Sequence, residues 1–194
     1  MRLFHLPGSR STRVLWLLEE IGEPYDLTIL TRDEKNGPEH GRRHPLNRVP
    51  VIEEDGGYVF ESAAICLDIA DRHLDKGLVP AVGTHERALV YQWVIFAVTE
   101  LEPYGGQAIR ETDPERKEAA AARYGLAVGA VQDALGDRDF LVGDRFTVAD
   151  LICGAVLSFG KRNGLTDAFP LVSAYVERLD ERPARVRANE RTTA

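Results

Sequence analysis

The sequence predicts a small α/β domain followed by an all-helical domain. Short strand patterns with a helical segment between them occupy only the first third of the 194-residue chain. Beyond it, long helical patterns continue without a convincing strand. The hydrophobic content of 44% is ample for packed cores and excludes a disordered chain. We therefore divide the chain into residues 1–76, a linker at 77–84 and a helical domain at 85–194.

A βαβ unit opens the first domain. Arg2–Leu6 has the pattern of a short strand, and Tyr25–Thr31 has that of a second one. Between them, apolar residues fall on one face of a helix for which Ser11 is the predicted N-cap. Gly22 and Pro24 end this helix. Two parallel strands joined through a helix predict a right-handed crossover.

A ββα unit completes the domain. The charged segment Arg32–Asn47 has weak periodicity and is predicted to be a loop with one irregular helical turn. A glycine-containing turn then joins strands at Val51–Glu53 and Val59–Phe60 into a hairpin. A helix is predicted from Ser62 to about Leu74. The order βαβ then ββα is typical of the thioredoxin-like fold.

Helices make up the prediction for the second domain. Pro114 stands at a favourable first helical position. The segment from Thr147 to Asp150 resembles a capping box, in which Thr147 caps the Asp150 amide. Pro183 is predicted to end the last helix. The predicted helices are about His85–Tyr104, Pro114–Leu135, a segment from Thr147 through Phe159, and Pro170 to about Glu181.

The composition of the chain limits the cellular compartment and the kinds of binding partner that we expect for the protein. The net charge of -7 argues against a general nucleic-acid-binding protein, which needs a basic face. No apolar run approaches the ~18 residues that span a membrane, and the N-terminus lacks the apolar core of a signal peptide. Cys66 and Cys153 lie in helical apolar patterns and are predicted to be buried, not disulfide-bonded. We expect a cytoplasmic protein with no nucleic-acid or membrane partner.

Five short motifs occur in a fixed order along the chain. Val49 and Pro50 precede the predicted hairpin, and Glu61 and Ser62 follow it. The other three are Pro7–Val14, Phe146–Asp150 and Arg182–Ala184. In these motifs and in its domain order, nearly the whole chain resembles the soluble glutathione transferases, as a serine-type bacterial member. The resemblance implies glutathione as co-substrate, no metal, a homodimer and a role in detoxification.

The predicted chemistry lies at the start of the first helix. The thiol of glutathione, like that of free cysteine, has a pKa near ~8.5, and only the thiolate is the nucleophile. A hydroxyl hydrogen bond and the positive end of a helix macrodipole both stabilise a thiolate. Serine-type relatives place the catalytic serine four or five residues before a helix arginine, which favours Ser9, four residues before Arg13. Ser11 is the second candidate, and a purely capping role suits its position equally well.

The paired motifs predict contacts to the rest of glutathione. Glu61 can pair with the γ-glutamyl ammonium, and Ser62 at a helix start can bind the adjacent carboxylate. The resemblance implies that the backbone of Val49 pairs with the cysteinyl unit and that Pro50 is cis. Arg48 can add a backbone or side-chain contact.

The glycyl carboxylate of glutathione needs a cation. The candidates share a basic side chain in the charged segment, and Lys35 is favoured among them: Lys35, His40, Arg42, Arg43 and His44. An electrophilic substrate is expected near Glu100–Gln107, with Tyr104 as a candidate contact and Arg10 as a candidate anion binder. A core aromatic and a solvated arginine are the alternative interpretations of these two residues.

Other mechanisms and functions compete with this prediction. Phe4 and His5 stand where a tyrosine-type enzyme has its tyrosine, and no cysteine lies near positions 8–11. No Cys-x-x-Cys motif occurs, which argues against dithiol chemistry. The preferred function is conjugation of the glutathione thiolate to a small hydrophobic electrophile. The alternatives are a non-catalytic glutathione-binding or regulatory module and a glutathione-dependent isomerase of a maleyl-type acid, whose motif is matched incompletely.

Overall fold

The protein forms two compact units in the computed structural model, which describes residues 1–191. One unit contains residues 1–76 and the described residues from Arg182 onward, and the other contains residues 77–181. Within the described part of the chain, no helix is long and apolar enough to cross a membrane. The domain limits given above, with a linker at 77–84, remain a prediction.

A four-stranded mixed sheet forms the centre of the first unit. Its strands are β1 (Arg2–His5), β2 (Asp26–Ile29), β3 (Val51–Glu54) and β4 (Gly57–Phe60). They lie in the order β2-β1-β3-β4, with β1 parallel to β2 and antiparallel to β3. The β3–β4 pair is the predicted hairpin. The predicted α/β fold followed by a helical part is confirmed.

Most of the predicted helices begin and end close to their predicted limits. Helix α1 ends where Gly22 adopts a φ of 77° and donates its N–H to the Leu18 carbonyl at 2.9 Å. The helices are α1 (Ser11–Ile21), α2 (Arg32–Asn36), α3 (Pro38–Arg43), α4 (Ser62–Arg72), α5 (His85–Phe96), α6 (Glu102–Arg110), α7 (Pro114–Leu135), α8 (Val148–Lys161), α9 (Pro170–Asp180) and α10 (Pro183–Glu190).

The predicted loop at 32–47 contains two short helices, so that prediction was wrong in detail. Thr31 and Glu34 form a capping box at α2, and Thr31 N–H donates to the Glu34 carboxylate at 2.7 Å. Pro38 begins α3 in the first turn, where its missing N–H costs nothing. Helices of five and six residues are too short to show a 3.6-residue period in the sequence.

Two helical predictions for the second half of the chain need correction. The long helix predicted over His85–Tyr104 is α5, a π-helical turn at Ala97–Leu101 and then α6, which continues to Arg110. Pro103 suits the first turn of α6, so it does not end the helix.

Pro183 begins helix α10 as well as following α9, which the sequence prediction missed. Arg182 forms hydrogen bonds of 2.7 and 3.0 Å with both carboxylate oxygens of Glu20 on α1. Arg187 donates from Nε to Glu19 of the same helix at 3.0 Å. These bonds attach α10 to α1. Helix α10 therefore lies in the first unit, although the sequence prediction placed its residues in the helical domain.

The core of the first unit places the end of β1 beneath α1. Leu3 and Ile52 of the sheet and Val14 and Ile65 of the helices are at most 1% exposed. Alternate strand residues share a face, so His5 points to the same side as Leu3. A polar ring therefore lies inside an otherwise apolar layer.

A buried carboxylate organises the start of α8 in the second unit. One oxygen of Asp150 accepts the Leu141 N–H and the Tyr175 hydroxyl, each at 2.8 Å. The other accepts the N–H and the hydroxyl of Thr147 at 2.9 and 3.1 Å. The predicted capping box is confirmed. With four donors and no exposed surface, Asp150 is satisfied without solvent.

We predict that Asp150→Asn lowers the free energy of unfolding by about 2–4 kcal/mol, because an amide NH2 would face two buried donors. Tyr175→Phe is the matched control, since it removes one donor and leaves the carboxylate, and about 1 kcal/mol is expected. Urea unfolding measures both changes. An Asp150→Asn midpoint equal to that of the native protein would contradict this account.

Candidate active site

The turn between β1 and α1 holds the two candidate serines. The Leu6 carbonyl accepts the Ser9 N–H at 3.3 Å and the Ser9 hydroxyl at 2.7 Å. Gly8 has a φ of 72°, a conformation that costs glycine little. Because α1 begins at Ser11, both serines lie at the positive end of its macrodipole.

Ser11 does not cap α1, so that prediction was wrong. Among the described residues, no side chain forms a capping hydrogen bond at this helix start, which Arg10 precedes. The Ser11 hydroxyl instead accepts the Leu6 N–H at 3.1 Å and lies 2.8 Å from Nδ1 of His5. Ser11 is 0% exposed. Its hydroxyl is thus turned beneath the helix, towards β1.

Ser9 has the more accessible hydroxyl of the two serines. It is half-buried, and its Oγ lies 2.7 Å from Oγ of Ser11. It also receives the Ser11 N–H at 3.3 Å. The single hydroxyl hydrogen of Ser9 can go to the Leu6 carbonyl, to Ser11 or to an acceptor outside the protein. Of the two serine hydroxyls, only that of Ser9 can therefore donate a hydrogen bond to a ligand at this turn.

His5 extends this network into the core. Burial lowers the pKa of His5 to about 4, against a smaller opposing effect of its hydrogen bond to Ser11. The ring is therefore neutral at physiological pH. Its Nε2 is buried and has no hydrogen-bond partner among residues 1–191.

The segment before β3 contains the predicted cis peptide. The bond between Val49 and Pro50 is cis, which confirms that expectation. Neither the N–H nor the C=O of Val49 has a hydrogen-bond partner among the described residues. The buried His40 lies with Nε2 2.9 Å from the Arg48 carbonyl. Because a carbonyl only accepts, His40 carries its proton on Nε2 and holds this segment in place.

Two of the basic candidates have partners within the protein. Lys35 donates to the Asn47 carbonyl at 2.7 Å, and an ammonium has two further donors with which to bind a carboxylate. Arg43 forms an ion pair with Glu39, and its guanidinium lies 4.1 Å from the centre of the Phe4 ring.

The remaining basic candidates differ in exposure. His44 is buried, and its Nδ1 accepts the Leu46 N–H at 3.0 Å. Burial lowers the pKa of His44, although the Glu61 carboxylate opposes the change. The neutral His44 is a weak candidate for a cation, whereas Arg42 and Arg48 are exposed.

Glu61 and Ser62 lie together at the start of α4. Glu61 is exposed and has a φ of 74° and a ψ of 111°, a conformation that non-glycine residues rarely adopt. Ser62 is the first residue of α4 and is 3% exposed. Its hydroxyl accepts from the Arg13 guanidinium at 3.2 Å, so its own hydrogen remains for an acceptor. A carboxylate, a hydroxyl donor and a helix N-terminus thus occur within two residues.

The two residues considered for the electrophile lie in different units. Arg10 is exposed in the β1–α1 turn. Tyr104 is half-buried in α6, and its hydroxyl accepts from Arg123 at 2.9 Å. Their contacts with a substrate remain predictions.

Both cysteines are buried, as predicted. Burial raises the pKa of Cys66 to about 12, and Arg13 opposes this increase. Cys66 therefore supplies no thiolate at neutral pH. The Cys153 thiol donates to the Trp93 carbonyl at 3.3 Å. Residues 1–191 also contain no cluster of three or more His, Cys, Asp or Glu side chains that could hold a metal ion.

Sequence reasoning missed the contributions of His5 and Arg13. In the sequence, His5 served only as evidence against a tyrosine-type enzyme, and Arg13 served only as the reference for the four-residue spacing to Ser9. A histidine in an apolar strand and an arginine within the buried face of a helix were the available signals. Polar side chains in such positions need hydrogen-bond partners, and both residues have one among the serines of the site.

Known proteins resemble this chain over most of its length. The family model for the glutathione S-transferase N-terminal domain matches residues 1–71, and the model for the C-terminal domain matches residues 69–183. Glutathione S-transferase GstA of Escherichia coli O157:H7 is 28% identical over 189 residues, which cover 94% of each chain. Disulfide-bond oxidoreductase YfcG of Escherichia coli is 29% identical over 198 residues, covering 94% of this chain and 91% of that relative.

Solved structures agree with these matches. A sphingomonad glutathione S-transferase complexed with glutathione has a TM-score of 0.89 at 28% identity, with 100% of this chain and 99% of that one covered. BphK, a bacterial glutathione S-transferase in a ternary complex, has a TM-score of 0.91 at 26% identity, and both chains are covered completely. The expected enzyme class, a glutathione transferase, is thereby confirmed. The chain belongs to the glutathione S-transferase family.

Proposed function

We propose that this protein binds glutathione and conjugates its thiolate to a small hydrophobic electrophile. The observation that carries the proposal is the Ser9 hydroxyl, half-buried at the positive end of α1. A hydroxyl there can donate to a thiolate and lower the pKa of the bound thiol. The solved relative complexed with glutathione supports the same ligand. A serine-type mechanism, with Ser9 as catalytic residue, is part of the proposal.

The γ-glutamyl end of glutathione would bind at the start of α4. Glu61 would pair with the ammonium, and the Ser62 hydroxyl and amide would bind the carboxylate. The unusual backbone of Glu61 supports this role, because residues in such conformations concentrate at binding sites.

The rest of glutathione would lie along the segment before β3. The N–H and C=O of Val49, which lack partners in the described chain, suit the backbone of the cysteinyl unit as an added strand. Lys35 would bind the glycyl carboxylate with the donors that Asn47 does not use. Arg48 is exposed next to Val49 and would add a second contact.

The proposed reaction forms one carbon–sulfur bond. The thiol loses its proton to solvent, and the Ser9 hydroxyl donates to the resulting thiolate. Sulfur then attacks an electrophilic carbon and either expels a halide from it or adds to one carbon of an activated double bond, whose other carbon afterwards takes a proton from water. Rate enhancement would come from the larger thiolate fraction and from holding both reactants together.

The other mechanisms receive less support. A protein-thiol mechanism needs an accessible cysteine, and both cysteines are buried. A non-catalytic module has no use for a hydroxyl donor at the start of α1. No contact within the described residues favours an isomerase. Conjugation remains the proposal, with cytoplasmic detoxification as the expected role.

The proposed homodimer would cover an exposed edge strand. Strand β4 lies at one edge of the sheet, and Tyr58, Val59 and Phe60 on it are 42%, 44% and 38% exposed. An apolar edge of this kind invites association unless it is covered. Two-fold dimers are the commonest oligomers of soluble proteins.

Removing the Glu61 carboxylate should weaken binding. We expect Glu61→Ala to raise the Kd for glutathione about tenfold or more, since a hydrogen bond to a charged group contributes ~1.5–3 kcal/mol. Glu61→Gln keeps an acceptor and the same backbone demand, so a smaller loss is expected. Titration calorimetry measures both variants, and an unchanged Kd for Glu61→Ala would remove Glu61 from the site.

Removing the Ser9 hydroxyl should impair chemistry and spare binding. Ser9→Ala is expected to raise the pKa of the bound thiol by ~1–2 units, because the thiolate loses one charge-assisted hydrogen bond. Thr12→Val is the control, since Thr12 donates within the same turn, to the Ser9 carbonyl. Ultraviolet titration of the bound thiolate distinguishes them. Equal pKa values for Ser9→Ala and the native protein would exclude Ser9 as the catalytic hydroxyl.

Light scattering at micromolar concentration should find a dimer of twice the 21.6 kDa chain mass. Phe60→Glu should shift the mass towards the monomer, because the charge would be placed on the apolar edge of β4. Leu126→Glu is the control, since Leu126 on α7 is 77% exposed and lies outside this edge. A native monomer, or a dimer indifferent to Phe60→Glu, would contradict the proposed interface.

A further inference from the structure

A chain of hydrogen bonds joins the core to the candidate catalytic hydroxyl. Nδ1 of His5 lies 2.8 Å from Oγ of Ser11, which lies 2.7 Å from Oγ of Ser9. Ser11 Oγ also accepts the Leu6 N–H at 3.1 Å. His5 and Ser11 are both 0% exposed. Each hydroxyl has one hydrogen and two lone pairs, so the tautomer of His5 decides whether Ser11 can accept the hydrogen of Ser9.

The two tautomers have opposite effects on Ser9. If Nδ1 lacks a proton, the Ser11 hydroxyl donates to it, and one Ser11 lone pair stays open for the Ser9 hydrogen. If Nδ1 carries the proton, Ser11 accepts from both His5 and the Leu6 N–H. Ser11 then donates either to Ser9 or to the Leu6 carbonyl at 3.2 Å, and in neither case can it take a hydrogen from Ser9. In the second case the Ser9 hydrogen goes to the Leu6 carbonyl or to a ligand.

The other ring nitrogen decides between these cases. Nε2 of His5 is buried and has no partner among residues 1–191. A proton on Nε2 would therefore be an unsatisfied buried donor, whereas a proton on Nδ1 leaves only an unused lone pair. Buried donors without partners are the rarer and costlier of the two. Both nitrogens would be protonated only in the charged ring, which burial disfavours at neutral pH.

We infer that His5 is a positioning residue that donates from Nδ1 to Ser11 and thereby reserves the Ser9 hydroxyl hydrogen for the sulfur of glutathione. The inference rests on the proposed function, in which Ser9 binds the thiolate. With both lone pairs of Ser11 filled, the Leu6 carbonyl is the only competitor for that hydrogen among residues 1–191. A thiolate attracts it more strongly than a neutral carbonyl, because charge-assisted hydrogen bonds are the stronger kind.

Three variants test this role with glutathione itself as the probe. His5→Phe keeps a ring of similar size without a donor, and we expect it to raise the pKa of the bound thiol by about one unit. His5→Asn places an amide N–H where Nδ1 stood, and the pKa should stay within a few tenths of the native value. In the Ser9→Ala background, adding His5→Phe should cause no further shift. A residue that only fills space would show neither the rescue by asparagine nor the dependence on Ser9.

A nitrogen NMR spectrum of the native protein tests the tautomer of His5 directly. The signals that disappear in the spectrum of His5→Phe identify this ring among the five histidines. Protonated Nδ1 at neutral pH is the expected result, and protonated Nε2 would overturn the inference. A bound thiol pKa lowered in the native protein but unmoved by His5→Phe would overturn it too, leaving the proposed function intact. If calorimetry shows that the native protein binds no glutathione, or if binding leaves the thiol pKa unchanged, the proposed function fails and the inference fails with it.

Discussion

The backbone of Leu6, just after β1, is the group on which the site depends. Its N–H donates to Ser11 at 3.1 Å, and its carbonyl accepts from Ser9 at 2.7 Å. Backbone groups that leave a sheet need new partners when they are buried. Here the serines of the next turn provide them. The hydrogen bonds that satisfy the Leu6 backbone therefore also hold the Ser9 hydroxyl at the N-terminus of α1. A change to these bonds would affect both the stability of the turn and the position of the candidate catalytic hydroxyl.

The buried guanidinium of Arg13 connects the turn between β1 and α1 to the start of α4. Arg13 is 5% exposed and donates from α1 to Ser62 on α4 at 3.2 Å. Beside it, Glu61 keeps a backbone conformation that costs a non-glycine residue of order 1–3 kcal/mol. Both features lie at the start of α4, where the proposed site would bind the charged γ-glutamyl end of glutathione.

The fold could be predicted from local sequence patterns. The features that the prediction missed depend on contacts between residues that are distant in the sequence or that only the folded strand brings together. The hairpin of β3 and β4 and the limits of α7 follow from periodicity and from Gly and Pro, which act over a few neighbouring residues. Helix α10 depends on Glu19 and Glu20, more than 160 positions earlier in the chain. The position of Ser11 was likewise predicted, but its hydrogen bonds were not. A serine before a helix can cap it or bind elsewhere, and only the folded strand brings His5 to within 2.8 Å.

Burial of His5 also decides how the site responds to pH. An exposed imidazole with a pKa near 6.5 would change charge within the range in which an enzyme works. The buried ring has a pKa of about 4, which lies below its value in the unfolded chain. The stability due to the neutral ring is thus fully present above pH 6.5 and is lost as the pH falls through the folded-state value of about 4. Between pH 6.5 and 8 the imidazole does not titrate. Its hydrogen bond to Ser11 therefore does not change with protonation across neutral pH, and in the proposed mechanism the thiol of glutathione is the group whose ionisation would control the reaction.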